Sequence, residues 1–465
     1  MSSKEMQVSK NQERQRAIVS QLAAYVAAAP TMSLPPEVVE KTKCHILNTV
    51  ACMVAGTQLK PGQSALRLLD GRAPDGATPI VGTNLKTTPE MASFVNGMTA
   101  RAGESDDVHA RSRTHPGASI VPAALAMAHS RRTTGKLLVD AVCAGYDVGC
   151  RIPPALGVAQ LEDRGFGPQS IGQLWGAAVA AAVLAKVDRE ALPYLFSYTA
   201  QQCGGMQSWY YDKEHVEQSF FMGGMPARDG YWAAWMTAQG FTANPDVFSG
   251  RYNFLDTFSD RPLPDEILDR LGERYEIMET NLKRWHFGSP SHASLEALLH
   301  IRGEHGLTAD DIEHVVAEVP SRDGVIVLGR NSPNINFHYL MAIAMLEGGV
   351  SYEASLDFAR MQAPDIKELM GRIEMKLSDA LQKEMPNRTA IVHVTTRDHR
   401  TYTKHVNAVL GTPVNPMASA QHDEVCMELM EPVLGNMRAQ NLIGAMHTID
   451  QMEDLDEVWR LMSGA

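Results

Sequence analysis

Apolar residues recur at helical spacing through the first two-thirds of the chain. After Pro35-Pro36 they fall at Ile46, Leu47, Val50, Met53 and Val54, one face of a helix. Thr88-Pro89-Glu90 predicts another helix start, with Thr88 as N-cap, proline in the first turn and an acid near the positive end of the dipole. Residues 117–130 and 135–151 form the next two apolar-periodic stretches. Residues 171–185, IGQLWGAAVAAAVLA, are small and apolar on every face, which predicts a core helix that neighbours approach closely. After about Thr280 the period changes. Residues 314–319, 373–377, 389–394 and 401–406 have the β-branched or alternating pattern of strands, the last two as a hairpin. Helical patterns lie among them at 336–346 and 363–372, and helix returns at 424–430, 437–446 and 455–462. The expectation is a mainly α protein. A large all-helical domain, 1–280, is completed by 410–465, and a smaller α+β lid domain spans 281–409.

The charge balance narrows the partners. Over 465 residues, 54 acids against 42 lysines and arginines give a net charge of −12, which argues against nucleic acid or an anionic membrane as partner. The polar start MSSKEMQVSKNQERQR does not read as a signal peptide, and the alanine-rich run at 177–185 is too short to span a bilayer. A cytoplasmic protein is expected. The six cysteines form no Cys-x-x-Cys pair and read as reduced, mostly buried thiols.

Candidate chemistry concentrates in RAGESDDVHARSRTHPGASIVPAA, residues 101–124. It holds Glu104, Asp106, Asp107, His109 and His115 with Arg101, Arg111 and Arg113. His115 precedes Pro116-Gly117 at the entrance of an apolar helix, a placement that suits an acid/base in a site for anions. A solvated charged loop fits the same spacing. Asp106, Asp107, His109 and His115 are suitable metal ligands by type. With no His-x-x-x-His on a helix and no cysteine pair, no metal is expected. In GYDVGCR, a phenol near a guanidinium, Tyr146 and Arg151, would have a lowered pKa and could exchange protons; the spacing alone favours a buried tyrosine with a satisfied hydroxyl and a surface arginine. RGFGPQSIGQ, from Arg164, offers a turn and a helix N-terminus but no phosphate-binding spacing. The aromatic stretch 207–228, with a Gly223-Gly224 turn, reads as a pocket wall or an inter-subunit contact. LKRWHFGSPSH supplies Lys283, Arg284, His286 and Ser289 at the change of pattern, and NFHY places Tyr339 at a helix start.

In order and wording these segments resemble the MmgE/PrpD family of dehydratases, decarboxylases and epimerases. The pieces that carry the resemblance are NGMTARAGESDDVHARSRTHPG, AGYDVGCR, RGFGPQSIGQLWGAAVAAA, GGMPARDGYWAAWMTAQGFT, LKRWHFGSPSHASLEAL and FHYLMAIAML. The resemblance implies a large helical domain, an α+β lid, a homodimer and no cofactor. It matches the family's His-Pro histidine to His115, its Asp-Asp pair to Asp106 and Asp107, its lid tyrosine to Tyr339 and its tyrosine-to-arginine helix to Tyr146 and Arg151. Decarboxylase-like members differ. They carry an aspartate at Glu104, a threonine at Val108, a histidine where this chain has Phe166-Gly167-Pro168, and a lysine around Gln218 or Ser219.

Together these readings point to a cofactor-independent enzyme that removes a proton α to a carboxylate of a small di- or tricarboxylic acid. The expected catalytic set is His115, Tyr146, Asp106 and Tyr339. Arg101, Glu104, His109, Arg151, Lys283, His286 and Ser289 are the expected substrate contacts. A dehydratase-type lyase comes first, an epimerase second, and a non-catalytic small-molecule binder third.

Overall fold

The computed structural model describes residues 3–71 and 75–464. The chain divides into two compact units. One comprises the residues through Thr280 together with those from Cys426 on; the other is Asn281–Val425. The chain thus rejoins the helical unit later than the expected 410.

The first unit is built on helices α1 (Ser3–Ala28), α2 (Pro36–Gly56), α3 (Pro89–Ala100), α4 (Gly117–Arg131), α5 (Gly135–Leu156), α6 (Pro168–Leu184) and α7 (Met225–Ala238). It is not entirely helical, because Thr78–Pro79 pairs with Lys86–Thr87 in a short antiparallel ladder. Thr88 stands at the N-cap of α3 with extended backbone, but its hydroxyl makes no capping bond; the first-turn proline sets the start. Helix α5 runs past Arg151 and through Pro153-Pro154 to Leu156. Gly223-Gly224, expected as a turn, belong instead to a π-helical turn, Phe220–Gly224, that leads directly into α7.

Every residue of α6 is buried, as its composition predicts. Small residues let α5 and α6 touch backbone to backbone. A Cβ added at Gly149 would lie 2.6 Å from the Gly172 carbonyl oxygen and 2.9 Å from the Gly176 Cα. Gly149→Ala should therefore force the two helices apart, with an expected loss of about 1–3 kcal/mol. Urea denaturation measures this, and an unchanged midpoint would contradict the close approach.

The second unit holds a four-stranded mixed sheet. Strands β1 (Ile312–Pro320), β2 (Ile373–Ser378), β3 (Ala390–Thr396) and β4 (Thr401–Val406) lie in the order β2-β1-β3-β4. β1 pairs parallel with β2 and antiparallel with β3, and β3–β4 is the expected hairpin. Val315, Ala317, Val319, Val392 and Val394 bury one face in a core shared with α8 (His292–His305) and α9 (Phe337–Glu347). The protein is mainly α with a smaller α+β region. Among the described residues no single helix is long and apolar enough to cross a membrane. Ala17–Thr31 and Pro36–Gly56 reach that length and composition only as a pair bent by 90°.

Candidate active site

Helix α3 ends at Ala100, and the chain from Arg101 to Pro116 forms a tight loop before α4. His109 and Thr114 bridge across it. The loop is not solvated: Arg101, Asp106, Asp107 and His109 are all buried. Burying this much charge requires pairing, and the pairs are present.

The first group is a chain of ion pairs. Arg101 donates to Glu104 Oε1 at 3.0 Å and to Asp106 Oδ1 at 3.2 Å. The other oxygen of Asp106 lies 3.1 Å from Nδ1 of His115, whose side chain keeps 15% of its exposure. Gln218 donates to Glu104 at 3.1 Å, and Ser219 to the Arg101 carbonyl. The cation beside Glu104 is Arg101. Gln173, on α6, accepts from the His115 backbone N–H.

The second group surrounds Asp107. Its Oδ2 meets Nδ1 of His45, on α2, at 2.6 Å and accepts the Tyr146 hydroxyl at 2.6 Å; its Oδ1 accepts the Gly117 N–H at 3.0 Å. Tyr146 is a buried tyrosine with a satisfied hydroxyl, and a pKa lowered by Arg151 is not found. Burial and then the Asp107 charge push the Tyr146 hydroxyl well above its ordinary value.

The third group explains why Arg151 does not act on Tyr146. Arg151 is fully buried and not at the surface. It donates to the carbonyls of Asp269 and Arg274 and lies 3.5 Å from Glu276. Glu276 also pairs with His109 Nε2 at 3.1 Å, Arg111 at 3.0 Å and Arg274 at 2.7 Å. Burial alone would raise the Glu276 pKa, but these cations hold it far below the usual carboxylate range. His109 gives its other nitrogen to Ser112 at 2.7 Å. His109 and Arg151 are thus enclosed by protein groups around Glu276, although His109 Nε2 and Arg151 Nε themselves make no hydrogen bond among the described residues.

The remaining candidates lie in the second unit. Tyr339 stands in the first turn of α9 and donates its hydroxyl to the Ala354 carbonyl at 2.6 Å; burial, then nearby acids, push its pKa up to about 12. Lys283 and His286 are buried, and His286 stands edge-on to Tyr352. Ser289 opens the short turn Ser289–Ser291.

Sequence reasoning missed His45, Glu276 and Lys41. None carries a local motif: His45 and Lys41 sit one turn apart on α2, and Glu276 is far along the chain from the loop it neutralises. Among the described residues no three His, Cys, Asp or Glu side chains converge as a metal site. The aromatic stretch 207–228 contributes to a groove of about 640 Å³, with Leu68, Phe94, Met98, Tyr211, Val216 and Phe220 in its wall. None of the expected site residues lines that groove.

Known proteins match over most of the chain. The MmgE/PrpD N-terminal domain matches residues 20–266 and the C-terminal domain residues 287–451. The cis-aconitate decarboxylase-like protein oryM of Aspergillus oryzae is 24% identical over 303 residues, covering 60% of this chain and 61% of that protein. A cis-aconitate decarboxylase of Aspergillus terreus is 21% identical over 478 residues, 96% of each chain. With both family domains matched in order, the chain belongs to the MmgE/PrpD family.

Proposed function

We propose that the protein is a cofactor-independent lyase of the dehydratase type acting on a small di- or tricarboxylic acid. One observation carries the reading. His115 is a partly exposed histidine whose Nδ1 stands 3.1 Å from an oxygen of Asp106, itself anchored by the buried Arg101. A carboxylate on Nδ1 orients the ring and favours the proton-accepting role at Nε2. In the reaction Nε2 takes the proton α to a carboxylate, a carbon–carbon double bond forms as the bond to the β hydroxyl breaks, and the proton now on the imidazolium goes to that hydroxyl, which leaves as water. The charge that builds on the substrate carboxylate needs donors nearby. Arg101, engaged by Glu104, Asp106 and the Gly103 carbonyl, is read as the anchor of the acids and not as a substrate contact.

Decarboxylation is the second reading, supported by the relatives named as cis-aconitate decarboxylases. Two positions speak against it. Gly167 replaces the histidine of decarboxylase-like members, and the ring of Phe221 fills the space a side chain there would need, 1.8 Å from an added Cβ. Where decarboxylase-like members carry a lysine, around Gln218 or Ser219, this chain has no cation, and Gln218 is bonded to Glu104.

Proton NMR in deuterium oxide with a panel of di- and tricarboxylates tests this. Loss of water to give the alkene is expected, with deuterium entering the α carbon of the substrate that remains. Loss of carbon dioxide would establish the second reading. Exchange with inversion alone would make the protein an epimerase. No exchange or product from folded protein would favour a binder.

A further inference from the structure

Asp106 and Asp107 are neighbours in sequence, yet each meets a different histidine. Asp106 faces His115, which follows it in the same loop, and Asp107 faces His45, from helix α2. The His45 side chain is fully buried, so no substrate reaches it. Its ring lies between Asp107, the Tyr146 ring at 5.4 Å, the Thr280 backbone and the charge of Lys41 one turn earlier on α2. Burial, opposed by Asp107, holds its pKa below the ordinary histidine value. A neutral imidazole at 2.6 Å from a carboxylate carries its proton on Nδ1 and donates it.

Asp107 transmits this bond to the loop. Its second oxygen accepts from Gly117 N, two residues after His115 and the first residue of α4. The fit admits no side chain: a Cβ at Gly117 would lie 2.4 Å from the Thr49 hydroxyl oxygen, 2.7 Å from that of Tyr146 and 3.0 Å from Asp107.

We propose that His45 is a positioning residue. By donating Nδ1–H to Asp107 it fixes the carboxylate that clamps Gly117, and so sets the orientation of His115. The inference rests on the reading of His115 as the base.

Two substitutions separate this role from filling of space. In His45→Asn the amide nitrogen stands near the place of Nδ1 and donates to Asp107. In His45→Gln it stands near Nε2 and points away. The first readout needs no substrate: the pH dependence of carbethoxylation of His115 by diethyl pyrocarbonate, followed by peptide mass spectrometry. It therefore reports on His45 even if no acid in the panel is turned over. The Gln variant is expected to shift the His115 reactivity profile, and with a substrate in hand to lose about tenfold or more in kcat with KM little changed. The Asn variant should recover most of both. Equal behaviour of the two folded variants, or an unshifted His115 profile in the Gln variant, would overturn the proposal. Should the Gln variant not fold, wild-type protein with ¹⁵N-labelled histidine decides: Nδ1 of His45 must keep its proton and stay untitrated across the working pH range. A titrating Nδ1 refutes the inference.

Discussion

His115→Ala is expected to lower kcat by a factor of about 10³, within the 10²–10⁴ that a general acid or base contributes, while the protein stays folded. Both halves of that statement come from position. The ring is partly exposed, so removing it leaves no packed cavity of the kind that makes core truncations costly. The backbone of the loop is held independently, by Gln173 at His115 N and by Asp107 at Gly117 N, so the loop keeps its course without the ring. Removing the ring does leave Asp106 with one partner fewer, but Arg101 still neutralises it. Turnover of the acid identified by deuterium exchange, with thermal unfolding of the same sample, measures the two quantities. A variant that keeps wild-type turnover refutes the base assignment. Asp106→Asn keeps the shape but removes the charge beside Nδ1, and should lose activity to a smaller extent.

Much of this site was legible in the sequence because its parts are local. Arg101, Glu104, Asp106 and His115 lie within one loop, and the loop brings them together as the spacing suggested. The helix and strand pattern was legible for the same reason: apolar periodicity at 3.6 or 2 residues is a local signal, and α4, α6 and the β3–β4 hairpin follow it. What the sequence did not show is long-range neutralisation. Nothing near Arg151 says that its guanidinium will be enclosed by the segment 269–276, which is why a surface arginine and an acidified phenol were plausible. Likewise His45 reads as one polar residue in an apolar helix, and only the fold brings Asp107 to it. Gly117 was read as a break in the chain; its absence of a side chain matters instead because three oxygen atoms converge on it.

The enclosed cluster around Glu276 carries the second large prediction. Glu276 has no exposed surface and faces Arg111, Arg151, Arg274 and His109. Glu276→Gln keeps the volume but leaves the buried Arg151 with Asp147, at 3.9 Å, as its remaining carboxylate, and breaking such a buried pair typically costs about 3–5 kcal/mol. The loss should appear in urea denaturation at neutral pH. It should also depend on pH with a defined sign. Because the cations depress the Glu276 pKa, its contribution is fully present above the unfolded carboxylate value, near 4.3, and is lost as pH falls towards the depressed folded value. The stability gap between wild type and variant is therefore largest at neutral pH and narrows on acidification below about pH 4. Asp147, raised to about 6 by burial against the pull of Arg151 and Tyr25, works in the opposite direction: its contribution is lost as pH rises through 6. Both proteins retain Asp147, so most of its effect cancels in the difference. A gap that stays constant or widens at low pH would show that the cluster does not hold Glu276 ionised. The same experiment bears on Arg151. As a structural partner of Glu276, Arg151→Met should copy the stability loss; as a substrate contact, it should raise KM in a protein of unchanged stability.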